Sequence, residues 1–287
     1  MSKTEMVIEG ERYDSKDRVR ADRTDQLYAD IPQGETLVKI ENLNVTYRTD
    51  EKTTVAVNNL SFDIKKGELI SIVGPSGCGK STILRCISGL LQPTSGTITI
   101  GDKLCTTAGS DRGMVFQDFA LFPWRSVRKN VEFGLEIAGV PKEERRERSD
   151  RYLKAMGLQD FADSRVHELS GGMKQRVGIA RAMIMHPAVI LMDEPFGALD
   201  AQTRNILQES LVNVLKHSER TIVFVTHSVD EALYLSDRVL VLSKRPATIH
   251  TIVEVPGERP RDRSSPEIAH LRGEILSYLQ SQNTMFD

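Results

Sequence analysis

Residues 68–82 read ELISIVGPSGCGKST, and this stretch decides the fold. ELISIVG, 68–74, is a nearly continuous β-favouring run, the pattern of a strand buried on both faces. It leads straight into GPSGCGKST, 74–82, which fits G-x-x-x-x-G-K-[ST], and a helix is expected from about Lys80. In such a strand, loop and helix, successive backbone N–H groups and the helix N-terminus converge on phosphate oxygens. Gly74, Gly77 and Gly79 let the backbone curl. Pro75, Ser76 and Cys78 complete the loop, Cys78 as a small filler and not a nucleophile. Lys80 supplies a charge at the β- and γ-phosphates, Ser81 a hydroxyl suited to Mg²⁺, and Thr82 closes the motif.

Two other runs, AVILM at 188–192 and TIVFV at 221–225, have the same buried-strand character and imply a parallel sheet flanked by helices. The first continues as DEP. Asp193 at the strand end is suited to holding Mg²⁺ through water, and Glu194 to polarising an attacking water, so hydrolysis is expected rather than binding alone. These features leave a kinase, a GTPase and a motor ATPase open, although no guanine-reading NKxD pattern is present.

The rest of the chain bounds the function. Its 287 residues allow one large domain or two small ones, and a 39% hydrophobic, 27% charged composition is that of a soluble protein. A net charge of −2 gives no global attraction to polyanions, so no nucleic-acid partner is expected. Three cysteines without a CxxC pair point to a reducing compartment. The N-terminus has no apolar run resembling a signal sequence, and no stretch approaches the roughly 18 apolar residues of a membrane span. Action at a membrane would then go through a partner.

Residues 1–36 are charged without clear period and read as a flexible extension. LVKIENLNVTY, AVNNLSFDI, GTITIGD and GMVFQ read as short strands, antiparallel in part. From Val127 to about His186 the pattern is helical; in KEERRERSDRYLKAMG the charges mark a solvated face while Tyr152, Leu153 and Met156 turn inward. A final strand in ATIHTIVEV, an arginine-rich turn GERPRDRSSPE and a short amphipathic helix with Ile268, Leu271, Ile275 and Leu279 on one face end the chain.

A second glycine turn, LSGGMKQ at 169–175, opens another helix, with Ser170 placed to cap it. LSGGMKQ before VILMDEP, then ALD at 198–200, then VTH ending at His227, resembles the motif order of ABC-transporter ATP-binding subunits over residues 37–250. The resemblance implies a P-loop NTPase (RecA-like) core with an antiparallel β subdomain and an α-helical subdomain at about 118–186, and a tail from 251 to 287. It also implies that two copies pack head to tail around two ATP, the Ser170, Gly171 and Gly172 turn of one capping the γ-phosphate held by the first loop of the other. By the same resemblance Tyr47 stacks on adenine, Gln117 reaches Mg²⁺ and the attacking water, Asp200 helps join the copies, and His227 contacts the γ-phosphate. Ser228 departs from the Asp that many relatives carry there.

DFALFPWRSV, 118–127, presents Phe119, Leu121, Phe122 and Trp124 in a loop. In the family this segment helps form the groove for a cytoplasmic helix of a membrane permease. LFPWRSV and the tail RPATIHTIVEVPGERPRDR resemble the subgroup serving nitrate, sulfonate and taurine importers. That implies a peripheral subunit at the cytoplasmic face, powering import of a small, often anionic solute delivered by a separate binding protein. The rival expectations are an ABC ATPase of DNA repair or translation, against which stand the single cassette and the lack of coiled-coil insertions, and an exporter subunit.

Overall fold

The computed structural model describes residues 28–216, 220–259 and 261–283. Its centre is a six-stranded sheet made from the three apolar runs and their neighbours. β3 (Leu69–Val73), β7 (Val189–Asp193) and β8 (Thr221–Val225) are buried at every position. With β6 (Arg112–Val115), β9 (Arg238–Leu242) and β10 (Ile249–Glu254) they run in the order β10-β9-β3-β8-β7-β6, all parallel except β10. GMVFQ, grouped in the sequence with the partly antiparallel strands, thus belongs to the parallel sheet, where Met114 pairs with Leu191. Its four residues carry too little pattern to assign the partner.

Alternate residues of these strands feed two cores. Ile70, Ile72, Leu191 and Val223 face α1 (Lys80–Ser88) and an antiparallel sheet of β1 (Thr36–Arg48), β2 (Thr53–Lys65), β4 (Ser95–Ile100) and β5 (Lys103–Leu104). Leu69, Ile190, Met192, Ile222 and Phe224 face the opposite layer. That layer includes the helices of residues 118–186: α2 (Val127–Val131), α3 (Phe133–Ile137), α4 (Lys142–Ala155) and α5 (Gly171–Met183). On α4 Leu153 is fully buried, and Tyr152 and Met156 join the same cluster. Each fully buried apolar side chain contributes about 1.5–3 kcal/mol by leaving water, so the doubly covered strands are the most strongly held part of the sheet.

Two boundaries differ from those drawn on the sequence. Residues 1–27 lie outside the described residues, but the charged stretch does not stay apart to residue 36: Tyr28 is buried, its hydroxyl donates to Asp111 Oδ2 at 2.9 Å, and Lys66 Nζ donates to the Tyr28 and Ile31 carbonyls. A single aromatic in a polar run gives no period to detect. At the other end, residue 250 falls inside β10, so the tail begins within the main sheet. α6 (Ala201–Lys216) and α7 (Val229–Leu235) follow β7 and β8, and the final helix α8 (Pro266–Asn283) packs Ile268 and Ile275 against Val229, Leu233, Val239 and Val241.

Candidate functional site

In an open α/β sheet the loops beyond the carboxyl ends of the strands meet at one edge, and ligands bind there. β3 delivers the loop 74–82, β7 delivers Asp193 and Glu194, β8 delivers His227, and β6 leads to Gln117, which is exposed. The first loop has the shape its glycines predict. Gly79 sits at φ +131°, and a Cβ there would come within 3.0 Å of the Ala56 carbonyl oxygen. Lys80 Nζ is folded back on the loop, donating to the carbonyls of Gly74 at 2.9 Å and Pro75 at 3.1 Å. Burial pushes the Cys78 thiol up, in keeping with an inert filler.

Ser81 donates its hydroxyl to Asp193 Oδ1 at 2.8 Å, so two of the three groups expected to hold Mg²⁺ are in contact. The Asp193 carboxyl is raised above its ordinary range, chiefly because burial strips water from the charged form; the Ser81 bond opposes this. Next to it, Glu194 takes a left-handed backbone with φ 43°, costly for a residue with a side chain. It is held there by Glu194 N–H donating to the Val225 carbonyl at 2.9 Å and by Phe196, which is fully buried with its ring 5.7 Å from that of Phe224. The result aims Glu194 Oε2 at His227 Nδ1, 3.1 Å away. A carboxylate and an imidazole joined at the end of neighbouring strands can accept and pass a proton.

Tyr47 ends β1 and shares a hydrogen bond of 3.2 Å between its hydroxyl and Thr82 Oγ1, with 40% of its surface exposed beside the loop. There β1 is paired with β2, Tyr47 opposite Thr54, the pairing with β4 having ended at Asn44.

The family comparisons bear on this arrangement. A family model described as ABC transporter matches residues 57–197. An uncharacterised ABC transporter ATP-binding protein of Methanocaldococcus jannaschii is 49% identical over 85% of this chain and 92% of its own length. The chain belongs to the ABC transporter family, as an ATP-binding subunit. The nitrate import ATP-binding protein of a Synechocystis strain is 45% identical over 86% of this chain and 96% of its own. The taurine import ATP-binding protein of Roseobacter denitrificans is 43% identical over 85% and 94%. A solved ATP-binding cassette, dimeric and bound to ADP and Pi, superposes with a TM-score of 0.69 at 34% identity, covering 77% of this chain and all of its own. The subunit is thus an ATPase, and import ATP-binding proteins for nitrate and taurine are among its relatives.

The second glycine turn of this cassette lies elsewhere. Ser170 caps α5 by accepting from Met173 N–H at 3.3 Å. Gly172 faces α6 so closely that a Cβ would stand 2.6 Å from Thr203 Cγ2. The Ser170 turn therefore packs against the Asp200 segment. Asp200 is exposed and caps α6 through Thr203 N–H at 2.9 Å, which holds its carboxyl below the ordinary range.

One residue with no signal in the sequence stands out. Arg181 on α5 donates to the carbonyls of Phe119 at 3.0 Å and Ala120 at 2.6 Å, both of which are left-handed. It ties the helix of the second glycine turn to the loop after Gln117. Nothing in the spacing announces it, because the contact spans 61 residues and depends on the backbone bend.

Proposed function

We propose that this subunit powers an importer for a small, anionic solute such as nitrate, a sulfonate or taurine, by closing and opening a head-to-tail dimer against a membrane permease. The single observation that carries the ATPase half is the convergence of the phosphate loop, the Ser81–Asp193 contact and the Glu194–His227 pair at one sheet edge. The import-protein relatives support the rest.

ATP enters with its phosphates against the N–H groups of residues 74–82, and Tyr47 stacks on the base. Lys80 exchanges the Gly74 and Pro75 carbonyls for phosphate oxygens. The oxygen donors of Ser81, Asp193 and Gln117 are of the hard kind that would hold Mg²⁺, which when bound would supply charge neutralisation for the phosphates. Glu194 takes the proton of the attacking water at Oε2, and His227, held by Glu194, contacts the γ-phosphate. The Ser170, Gly171 and Gly172 turn of a second copy supplies N–H and hydroxyl donors from the far side, and Asp200 lies across the interface.

The permease surface is the segment after Gln117. Trp124 is 70% exposed and Ile137, on α3, 74%. Trp124 leans on Phe122 with ring centroids 5.6 Å apart, and Phe122 on Phe133 at 4.5 Å. Aromatic groups anchored at the base and open at the tip suit a docking helix. No helix among the described residues is long and apolar enough to cross a membrane. In the proposed importer the subunit works from the cytoplasmic face, peripherally, through the permease.

The test is affinity purification from mildly solubilised membranes, for the native chain and for Trp124→Asp, with mass spectrometry of what accompanies each. A multi-span membrane protein retained by the first and lost by the second supports import-type coupling, and a soluble partner set for both refutes it.

A further inference from the structure

The arginine-rich turn GERPRDRSSPE is not accounted for by ATP chemistry. Its Arg263 leads into a polar network that ends at the functional site. The Arg263 guanidinium lies 4.0 Å from the centre of the Tyr234 ring on α7, and its Nη2 donates to Gln208 Oε1 on α6 at 2.5 Å. Gln208, 1% exposed, turns its amide nitrogen to Glu231 Oε1 at 3.2 Å. Glu231 is itself buried on α7, accepting from the Thr226 hydroxyl at 2.6 Å. Thr226 Oγ1 in turn accepts from Ser228 N–H at 3.0 Å.

Thr226 and Ser228 are the two neighbours of His227, so the Glu231 carboxylate, through the Thr226 hydroxyl that also takes the Ser228 N–H, holds the turn that carries the imidazole. On its other flank, Arg204 of α6 faces Glu231 Oε1 with Nε at 3.6 Å and donates from Nη2 to the Leu199 carbonyl at 3.0 Å. Leu199 immediately precedes Asp200. A buried carboxylate is costly unless paired and hydrogen-bonded, so the three side chains around it, Gln208, Thr226 and Arg204, are held to a narrow set of positions.

We infer that Glu231 is a positioning residue for His227, coupling the His227 turn to the Asp200 segment through Arg204, with Arg263 of the C-terminal arm locking the couple from outside. The inference rests on the proposed role of His227 at the γ-phosphate. The separation between Glu194 and His227 then depends on a network more than one residue removed from the nucleotide. Glu231→Gln keeps the shape and an acceptor for Thr226 but removes the charge facing Arg204. Thr226→Val removes the hydroxyl through which Glu231 acts.

The experiment is steady-state ATP hydrolysis by Glu231→Gln, Thr226→Val, the double variant and His227→Ala. A shift of His227 by a fraction of an ångström costs orientation and not binding, so Glu231→Gln should lower kcat about tenfold with KM for ATP within about twofold. Thr226→Val should act in the same direction, and the double variant should be no slower than the slower single variant, because both cut one path. Loss of activity in His227→Ala with kcat for Glu231→Gln unchanged overturns the inference alone. Normal turnover by His227→Ala overturns the reading of the site beneath it. Effects of the two singles that multiply, or a rise in KM with kcat preserved, also overturn it. Should Glu231→Gln fail to fold, Arg263→Gln carries the test from the surface: a loss of about threefold in kcat at unchanged KM and melting midpoint is expected from the released Gln208, and unchanged kcat refutes the locking role.

Discussion

Ser170 has two duties that one pair of substitutions separates. Its hydroxyl caps α5 at 3.3 Å from Met173 N, and in the proposed dimer it also meets the γ-phosphate of the other copy. Ser170→Ala removes both, and the lost cap costs about 1 kcal/mol, or about 2 °C of melting midpoint for a chain of this size. Ser170→Asp keeps a capping acceptor and adds a negative charge at the positive end of the helix, a gain of about 0.3–1 kcal/mol. Against a phosphate the same carboxylate is repelled. At about 4 Å and an effective dielectric near 20 the repulsion is about 4 kcal/mol, a factor of about 1,000 in rate, whereas the missing hydroxyl of the Ala variant costs about tenfold. Stability should therefore rank Asp at or above the native chain and Ala below it, while hydrolysis ranks native, Ala, Asp. Thermal unfolding and phosphate release at saturating MgATP give the two orders, and nucleotide binding at low protein concentration should be nearly unchanged in both. An Asp variant that hydrolyses ATP as fast as the Ala variant would show that no phosphate approaches this turn.

Glu194→Gln should bind ATP, accumulate as a dimer on size exclusion and lose about 10²–10⁴ in turnover, the range for a lost general base; turnover within a few-fold of native would remove Glu194 from that role. For Asp193 the sign of the pH effect follows from its raised carboxyl. The folded chain holds this proton to higher pH than the unfolded one, so lowering pH through the raised value adds stability from this group, while it removes the charge that attracts Mg²⁺. In a Glu194→Gln background, Mg²⁺-dependent nucleotide binding should weaken on acidification before the fold does, and Asp193→Asn should lack that step. Retention of tight Mg²⁺-dependent binding in Asp193→Asn at neutral pH would refute the assignment.

What was legible in the sequence was what chemistry dictates at short range. A loop that wraps phosphate needs Gly79 and Lys80 at fixed spacing after a strand, and the strand, loop and α1 stand where the spacing placed them. AVILMDEP and TIVFVT were legible because strands covered on both faces are continuously apolar. Less legible were placements set by distant partners. Tyr28 folds onto Asp111 across 83 residues, and GMVFQ finds β7 across a whole helical layer. At the left-handed Phe119 and Ala120 the carbonyls are collected by Arg181, more than 60 residues away in sequence. Glu231 gave no sign for the same reason: its partners come from α6, from Thr226 just after β8 and, through Gln208, from the C-terminal arm.

The two glycine turns also use glycine for different physical ends. Gly79 needs it for conformation, at φ +131°. Gly172 lies inside α5 with ordinary helical backbone and needs it for closeness, since Thr203 Cγ2 would stand 2.6 Å from any Cβ. That second contact joins the Ser170 turn to the segment beginning at Asp200, thirty residues later. Both are groups that the proposed dimer presents to the other copy, so the surface is assembled before association and its ordering entropy is not charged to binding. Because Arg204 continues from that segment to Glu231 and the His227 turn, the groups proposed to serve the chain's own nucleotide and those proposed to serve its partner's are joined by side chains within one protomer. In the proposed dimer, a displacement at either site would be passed to a group of the other, which is the physical requirement for two hydrolytic sites to act in concert rather than independently.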